Sequence, residues 1–118
     1  MAGTIELKTG AWDCSGGCFR GMAAGVIAQL RHLEGDDSAA RLEAVLQSAV
    51  DSNVMYVDFE RDCDAQMQTR FHVALRRYIK DVKAQPASSF ENPELYQGYV
   101  DRLEELARAI AASTAASG

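Results

Sequence analysis

Long apolar runs are missing from this chain: nowhere do about 18 apolar residues stand together, the length a membrane-spanning helix needs. Met1 to Trp12 hold no apolar stretch of about 7 to 15 residues, the mark of a secretory leader, so a cytoplasmic protein without a membrane partner is expected. Positive charge is in deficit, with 12 Lys and Arg against 17 Asp and Glu and a net charge of −5. General nucleic-acid binding needs a basic surface that displaces counterions from phosphates, so direct binding of that kind is not expected. A basic protein partner suits the balance better. Cysteine is scarce: three residues, an odd number, make no disulfide framework and should stay as thiols in a reducing compartment. Neither a Gly-Lys-Ser/Thr loop nor a G-x-G-x-x-G turn occurs, which argues against nucleotide binding, and no Ser or Cys can be assigned to His72 as a nucleophile. No cofactor is implied, and a non-enzymatic protein is expected.

What is present reads as one helical domain over residues 1–118, with a hydrophobic fraction of 47% and a charged fraction of 25%. Residues 54–84 contain neither proline nor glycine, and Phe59, Cys63, Met67, Phe71, Leu75, Tyr78 and Val82 recur there at helical spacing. A continuous long helix from Val54 to Lys83 is predicted, with acids in its first turns and bases in its last, as the helix dipole favours. A first helix from Cys18 to Leu33 carries Phe19, Met22, Ala23, Val26, Ile27, Leu30 and Leu33 on one face. Gly35 suits its stop, and Asp37 or Ser38 suits the next N-cap. The second helix, from about Ala39 to Ser52, turns Leu42, Val45, Leu46, Ala49 and Val50 inward, before a break near Asn53. Pro86, Ser88 and Ser89 mark a linker over 85–91. Asn92-Pro93 then opens a last helix with Leu95, Tyr96, Tyr99, Val100, Leu103, Leu106 and Ile110 on one arc. The uncharged tail, 111–118, should fray.

The N-terminus admits two readings. Thr4 to Lys8 alternates like a short strand, whereas Thr9 to Gly17 holds Gly10, Asp13, Ser15, Gly16 and Gly17 around Trp12 and reads as a loop whose tryptophan plugs the core. The expected fold is therefore all-α, a four-helix bundle-like domain with residues 1–17 as an extended arm and Gly-rich loop. The alternative is α+β, with a two-stranded ladder of residues 4–8 and 54–57.

Cys14 and Cys18 flank a glycine turn at a helix start, where a thiol pKa can be lowered and a thiol pair could form; the plainer reading is two small buried hydrophobes. Zinc would draw on Cys14, Cys18, Cys63, His32 and His72, whose spacing is not that of a metal site, so no metal is expected. Gly21, Gly25 and Ala28 place small residues where the first helix should be charged, a face for close approach within the fold or for self-association as a homodimer. Glu60 and Asp64 point into the apolar arc of the long helix, where they are either solvated or paired with an arginine of this chain or of a partner. Arg70, Arg76, Arg77, Lys80 and Lys83 lie on two sides of that helix and make a poor phosphate stripe. Glu94, Asp101, Glu104 and Glu105 form the expected partner-binding face, with Asp58, Glu60 and Asp64 as a secondary one. The leading functional expectation is an acidic protein that covers a basic surface of a partner protein, as immunity proteins, antitoxins and phage-encoded inhibitors do. The alternatives are a thiol-redox or metal-binding protein using Cys14 and Cys18, and an oligomeric helical structural or regulatory module.

Overall fold

The computed structural model of the protein describes residues 2–33, 37–52, 54–90 and 92–117, with side chains of the last stretch as far as residue 114. The alternation expected at Thr4 to Lys8 belongs to a strand, β1 (Ala2–Leu7), that buries Ile5 and Leu7. The chain turns at Lys8 and Thr9, where Gly10 adopts a φ of 135° that other residues rarely take. It then returns as β2 (Gly10–Ser15), antiparallel to β1, with Ile5 opposite Trp12 and Gly3 opposite Cys14. Trp12 and Cys14 point inward, while Ala11, Asp13 and Ser15 point out. A third strand, β3 (Tyr56–Asp58), pairs parallel to β1 on its other side, giving the order β2-β1-β3.

The all-α bundle with an N-terminal arm is thus overturned: the fold is α+β, a three-stranded mixed sheet packed against helices. The physical reason lies in β2. Its turn-forming residues, Gly10, Asp13 and Ser15, sit at the strand ends or on its outer face, where they do not oppose pairing, while the inward positions carry Trp12 and Cys14. The alternative, α+β with a ladder between 4–8 and 54–57, agrees in class and in the two segments it joins: Thr4 to Glu6 pair with Tyr56 to Asp58, and what it lacked is β2 as a third strand on the other side of β1.

Five α-helices follow from the described residues: α1 (Gly16–His32), α2 (Asp37–Asp51), α3 (Phe59–Asp62), α4 (Ala65–Ala84) and α5 (Tyr96–Ser117). The long helix expected from Val54 to Lys83 is therefore broken twice. Met55, at φ 49°, turns the chain out of α2 and donates its N–H to Ala49 O at 3.0 Å. Asp58 then caps α3 by accepting from Arg61 N at 3.0 Å, and Asp64 caps α4 by accepting from Met67 N at 2.9 Å. Aspartate favours this position because its carboxylate takes an N–H that has no partner inside the helix. From the first turn of α4, buried Gln68 donates Nε2 to Cys63 O at 2.9 Å, so a carbonyl freed by the break is not left unpaired.

The inward set is nonetheless the one the periodicity picks out: Phe59, Cys63, Met67, Phe71, Leu75 and Val82 are all buried, with Phe59 and Phe71 edge-to-face at 5.8 Å. Asp37 and Ser38 lie inside the first turn of α2, and Gly35 and Asn53, read as stop and break, lie outside the described residues. The linker forms a 3-10 turn over Ala87–Ser89, and a second over Pro93–Leu95 leads into α5. Leu95, expected in the core, is 61% exposed on that turn. In the stretch expected to fray, α5 continues through Ser117, and fully buried Ser113 accepts from Lys8 N at 3.3 Å. The radius of gyration is 13.5 Å, matching a compact chain of this length at about 13.5 Å. Among the described residues no helix is long and apolar enough to cross a membrane.

Candidate functional site

Ser15 ends β2 and caps α1, its hydroxyl accepting from Cys18 N at 3.1 Å. The strand end carries Cys14 and the first helical turn carries Cys18, so the two thiols come together where β2 passes into α1. Both are free; Cys14 is buried and Cys18 half-buried. They hydrogen-bond to each other, and this bond is the main cause of opposite shifts. The Cys18 thiol is lowered below its usual 9.0 by the Cys14 S–H and further by the Arg102 charge, against an opposing effect of burial. Cys14 is pushed well above its usual range by the same bond, by burial and by the charge on Cys18. Cys18 also stands at the positive end of the α1 dipole, which favours a thiolate. The arrangement makes Cys18 the more readily ionised thiol of the two and Cys14 the one that keeps its proton.

Arg102 comes from α5. Its position is set by Trp12, whose indole N–H donates to Arg102 O at 2.9 Å, and its guanidinium reaches Glu105 at 3.1 Å. Beside the thiols opens a cleft of about 920 Å³, lined by Cys14 and Cys18, by Tyr78 of α4, by Phe90 and Leu95 of the connecting turns and by Tyr99 of α5, among others. Tyr78 and Tyr99 meet hydroxyl to hydroxyl at 2.6 Å with rings edge-to-face at 6.5 Å. Burial raises both phenols. Phe90 packs edge-on against Tyr96 at 4.9 Å and lies tilted against Tyr99 at 6.2 Å.

The glycines expected to make a self-association face look inward instead. A Cβ on Gly25 would collide with the Tyr78 ring, and one on Gly21 would stand 2.8 Å from Tyr99 Oη. The close approach occurs inside the chain, against side chains of α4 and α5, while Ala28 is exposed on the helix beyond them. The expected acidic face is divided. Glu104 pairs with Lys83 at 3.1 Å and Glu105 with Arg102, Asp101 is exposed and accepts from Gln97 Nε2 at 2.9 Å, and Glu94 is exposed and lines the cleft. In the secondary face, Asp58 and Asp64 are helix caps, and Asp64 also binds Arg41 at 2.7 Å, the in-chain arginine weighed from the sequence. Glu60 accepts from Ser113 Oγ at 3.4 Å.

Cys63 is remote from this cleft, buried between α3 and α4, and pushed up to about 12 chiefly by burial. His72, half-buried on α4, is lowered by burial and by Arg76. Among the described residues no three His, Cys, Asp or Glu side chains gather into a metal-binding group. Arg102, Tyr78, Tyr99 and Phe90 were not singled out as site residues in sequence. Phe90 left one signal, a large aromatic in a linker otherwise small and polar. Comparison with family models, with curated proteins and with solved structures finds no match.

Proposed function

We propose that the protein acts in thiol–disulfide exchange, with Cys18 as attacking thiolate and Cys14 as resolving thiol. The observation that carries this reading is that two free cysteines line one open cleft, Cys18 on the first turn of α1 and buried Cys14 at the end of β2 just before it. In the first step Cys18 Sγ attacks one sulfur of a disulfide R–S–S–R′, that bond breaks, and R′S⁻ leaves carrying the electron pair. Cys14 gives its proton to the departing thiolate, attacks Cys18 Sγ and releases RS⁻. The products are a Cys14–Cys18 disulfide, one thiol R′SH and one thiolate RS⁻ that takes its proton from water, two electrons having passed to the substrate. Thiolate attack through a mixed disulfide proceeds in this way generally.

The test is oxidation of the reduced protein by a disulfide, followed by intact mass and peptide mapping. The expected result is loss of two hydrogens with Cys14 linked to Cys18, and a stable mixed disulfide on Cys18 in Cys14→Ser. A parent protein that stays reduced, or that is blocked only at Cys63, rejects the reading.

A second reading, an acidic protein that covers a basic partner, draws support from the exposed Glu94 and Asp101 and the net charge of −5. Complementary charge acts mainly on association rate and is weakened by salt. Glu94→Lys with Asp101→Lys should slow capture of a basic partner by about tenfold at low salt. Capture at the parental rate removes this face from consideration.

A further inference from the structure

We infer that the cleft beside Cys18 is a substrate site that selects neutral aromatic disulfides, an inference that rests on the exchange chemistry proposed above. Its volume of about 920 Å³ is that of a small-molecule site, within the usual range of about 300 to 1,000 Å³. The wall is aromatic and aliphatic, with Phe90 and Tyr99 at one side and Leu95 on the rim, so a flat apolar group carried on sulfur would leave water as its disulfide approaches Cys18.

Gly98 adds an independent observation. Gly21 and Gly25 are explained by the tyrosines that fill their side-chain space, whereas a Cβ on Gly98 would meet nothing within 4 Å. Gly17, also on the cleft, is likewise open. Glycine in the first turn of α5 is unfavourable for the helix, and no packing demands it there. Its consequence is an open cleft.

The charges choose among disulfides. Asp13 and Glu94 line the cleft against one cation, Arg102, and Arg102 is already paired with Glu105. With a thiolate on Cys18 the surplus is negative, which disfavours a disulfide bearing carboxylates.

The experiment measures rates of the reduced protein with dithiodipyridine, glutathione disulfide and cystamine, each divided by the rate of free cysteine thiolate with the same reagent. The dithiodipyridine ratio should exceed the glutathione disulfide ratio by about tenfold or more, the discrimination a shaped apolar pocket supplies. Cystamine, small and cationic, should fall below dithiodipyridine despite the negative cleft; a cystamine ratio equal to or above that of dithiodipyridine would mean that charge rather than aromatic shape sorts substrates and would overturn the inference. Gly98→Leu, whose Cβ has open space before it and whose side chain extends toward the cleft, should hold or raise Tm. It should slow dithiodipyridine by about tenfold and cystamine by clearly less. A variant as fast as the parent with dithiodipyridine overturns the site.

A readout free of thiol chemistry separates this inference from the reading beneath it. Thiopyridone titrated into Cys14→Ser/Cys18→Ser should shift the amide NMR signals of Gly17, Gly98 and Tyr99. No shift overturns the aromatic site even where the parent forms its disulfide. Shifts without any Cys14–Cys18 disulfide in the parent reject the exchange chemistry and, with it, the assignment of disulfides as substrates.

Discussion

Gly25 in α1 has no side chain because the ring of Tyr78 in α4 occupies the space where one would stand. This contact lets α1 and α4 pack closely and sets the tyrosine at the edge of the cleft.

Two glycine substitutions should therefore act in opposite directions. Gly25→Ala gains about 1 kcal/mol of helix propensity but overpacks Tyr78, at a cost of about 1 to 3 kcal/mol, so the net effect is neutral to destabilising. Gly98→Ala, with open space before it, should stabilise by up to about 1 kcal/mol. Urea unfolding measures both. If Gly25→Ala proves the more stable of the two, the ring does not hold that space.

The hydroxyl pair of Tyr78 and Tyr99 should appear in the alkaline limb of stability. Both phenols are raised by burial, so the folded state holds their protons when the unfolded chain loses them near the ordinary value of 10.0. Their contribution is full below that pH and is lost as pH rises above it. Tyr78→Phe/Tyr99→Phe should flatten this part of the profile. Tyr99→Phe alone should cost about 1 kcal/mol at neutral pH, because the Tyr78 hydroxyl is then left short of a partner. An alkaline profile identical to that of the parent would place the sensitivity elsewhere, with the raised Cys14 and Cys63 the next groups to consider.

Cys18 should alkylate with a pH midpoint below 9.0, the usual thiol value. Cys14→Ala removes the S–H that contributes most to this lowering and should move the midpoint up. Arg102→Ala should move it up by less. Iodoacetamide kinetics followed at Cys18 by mass spectrometry give both. A midpoint indifferent to Cys14 would mean that the thiols are not bonded in solution.

Asp64 should matter through its cap first and its ion pair second. Its carboxyl is held below 3.8 by the Met67 N–H and then by Arg41, so its contribution is present above that pH and declines as pH falls below it. Asp64→Ala should lower Tm. Asp64→Asn, which can still cap, should recover part of the loss while abolishing the pairing with Arg41. Equal melting temperatures for Asp64→Ala and the parent would show that α4 begins without help from this side chain.

The inward faces of α1, α2, α4 and α5 were determined by the sequence alone. Helical periodicity is local, and most of the residues it selects are buried, Phe19, Leu42, Phe71 and Leu103 fully so. The same locality explains why inward residues on either side of Asp64 could be named while the break itself was missed. An apolar repeat stays in phase across a short interruption, and capping by Asp58 and Asp64 looks in sequence like acid placed at the start of one helix. Of the site, sequence offered Cys14, Cys18 and a helix start between them. Only tertiary structure decided that Gly10–Ser15 is a strand, since its turn-forming residues read as a loop until β1 supplies hydrogen-bond partners and a core for Trp12 and Cys14. Tertiary structure alone likewise brought Arg102 to the thiols and set Tyr78 and Tyr99 over Gly25 and Gly21. Those contacts join residues far apart in the chain, and their partners are chosen by how α4 and α5 pack on α1, which no local pattern encodes.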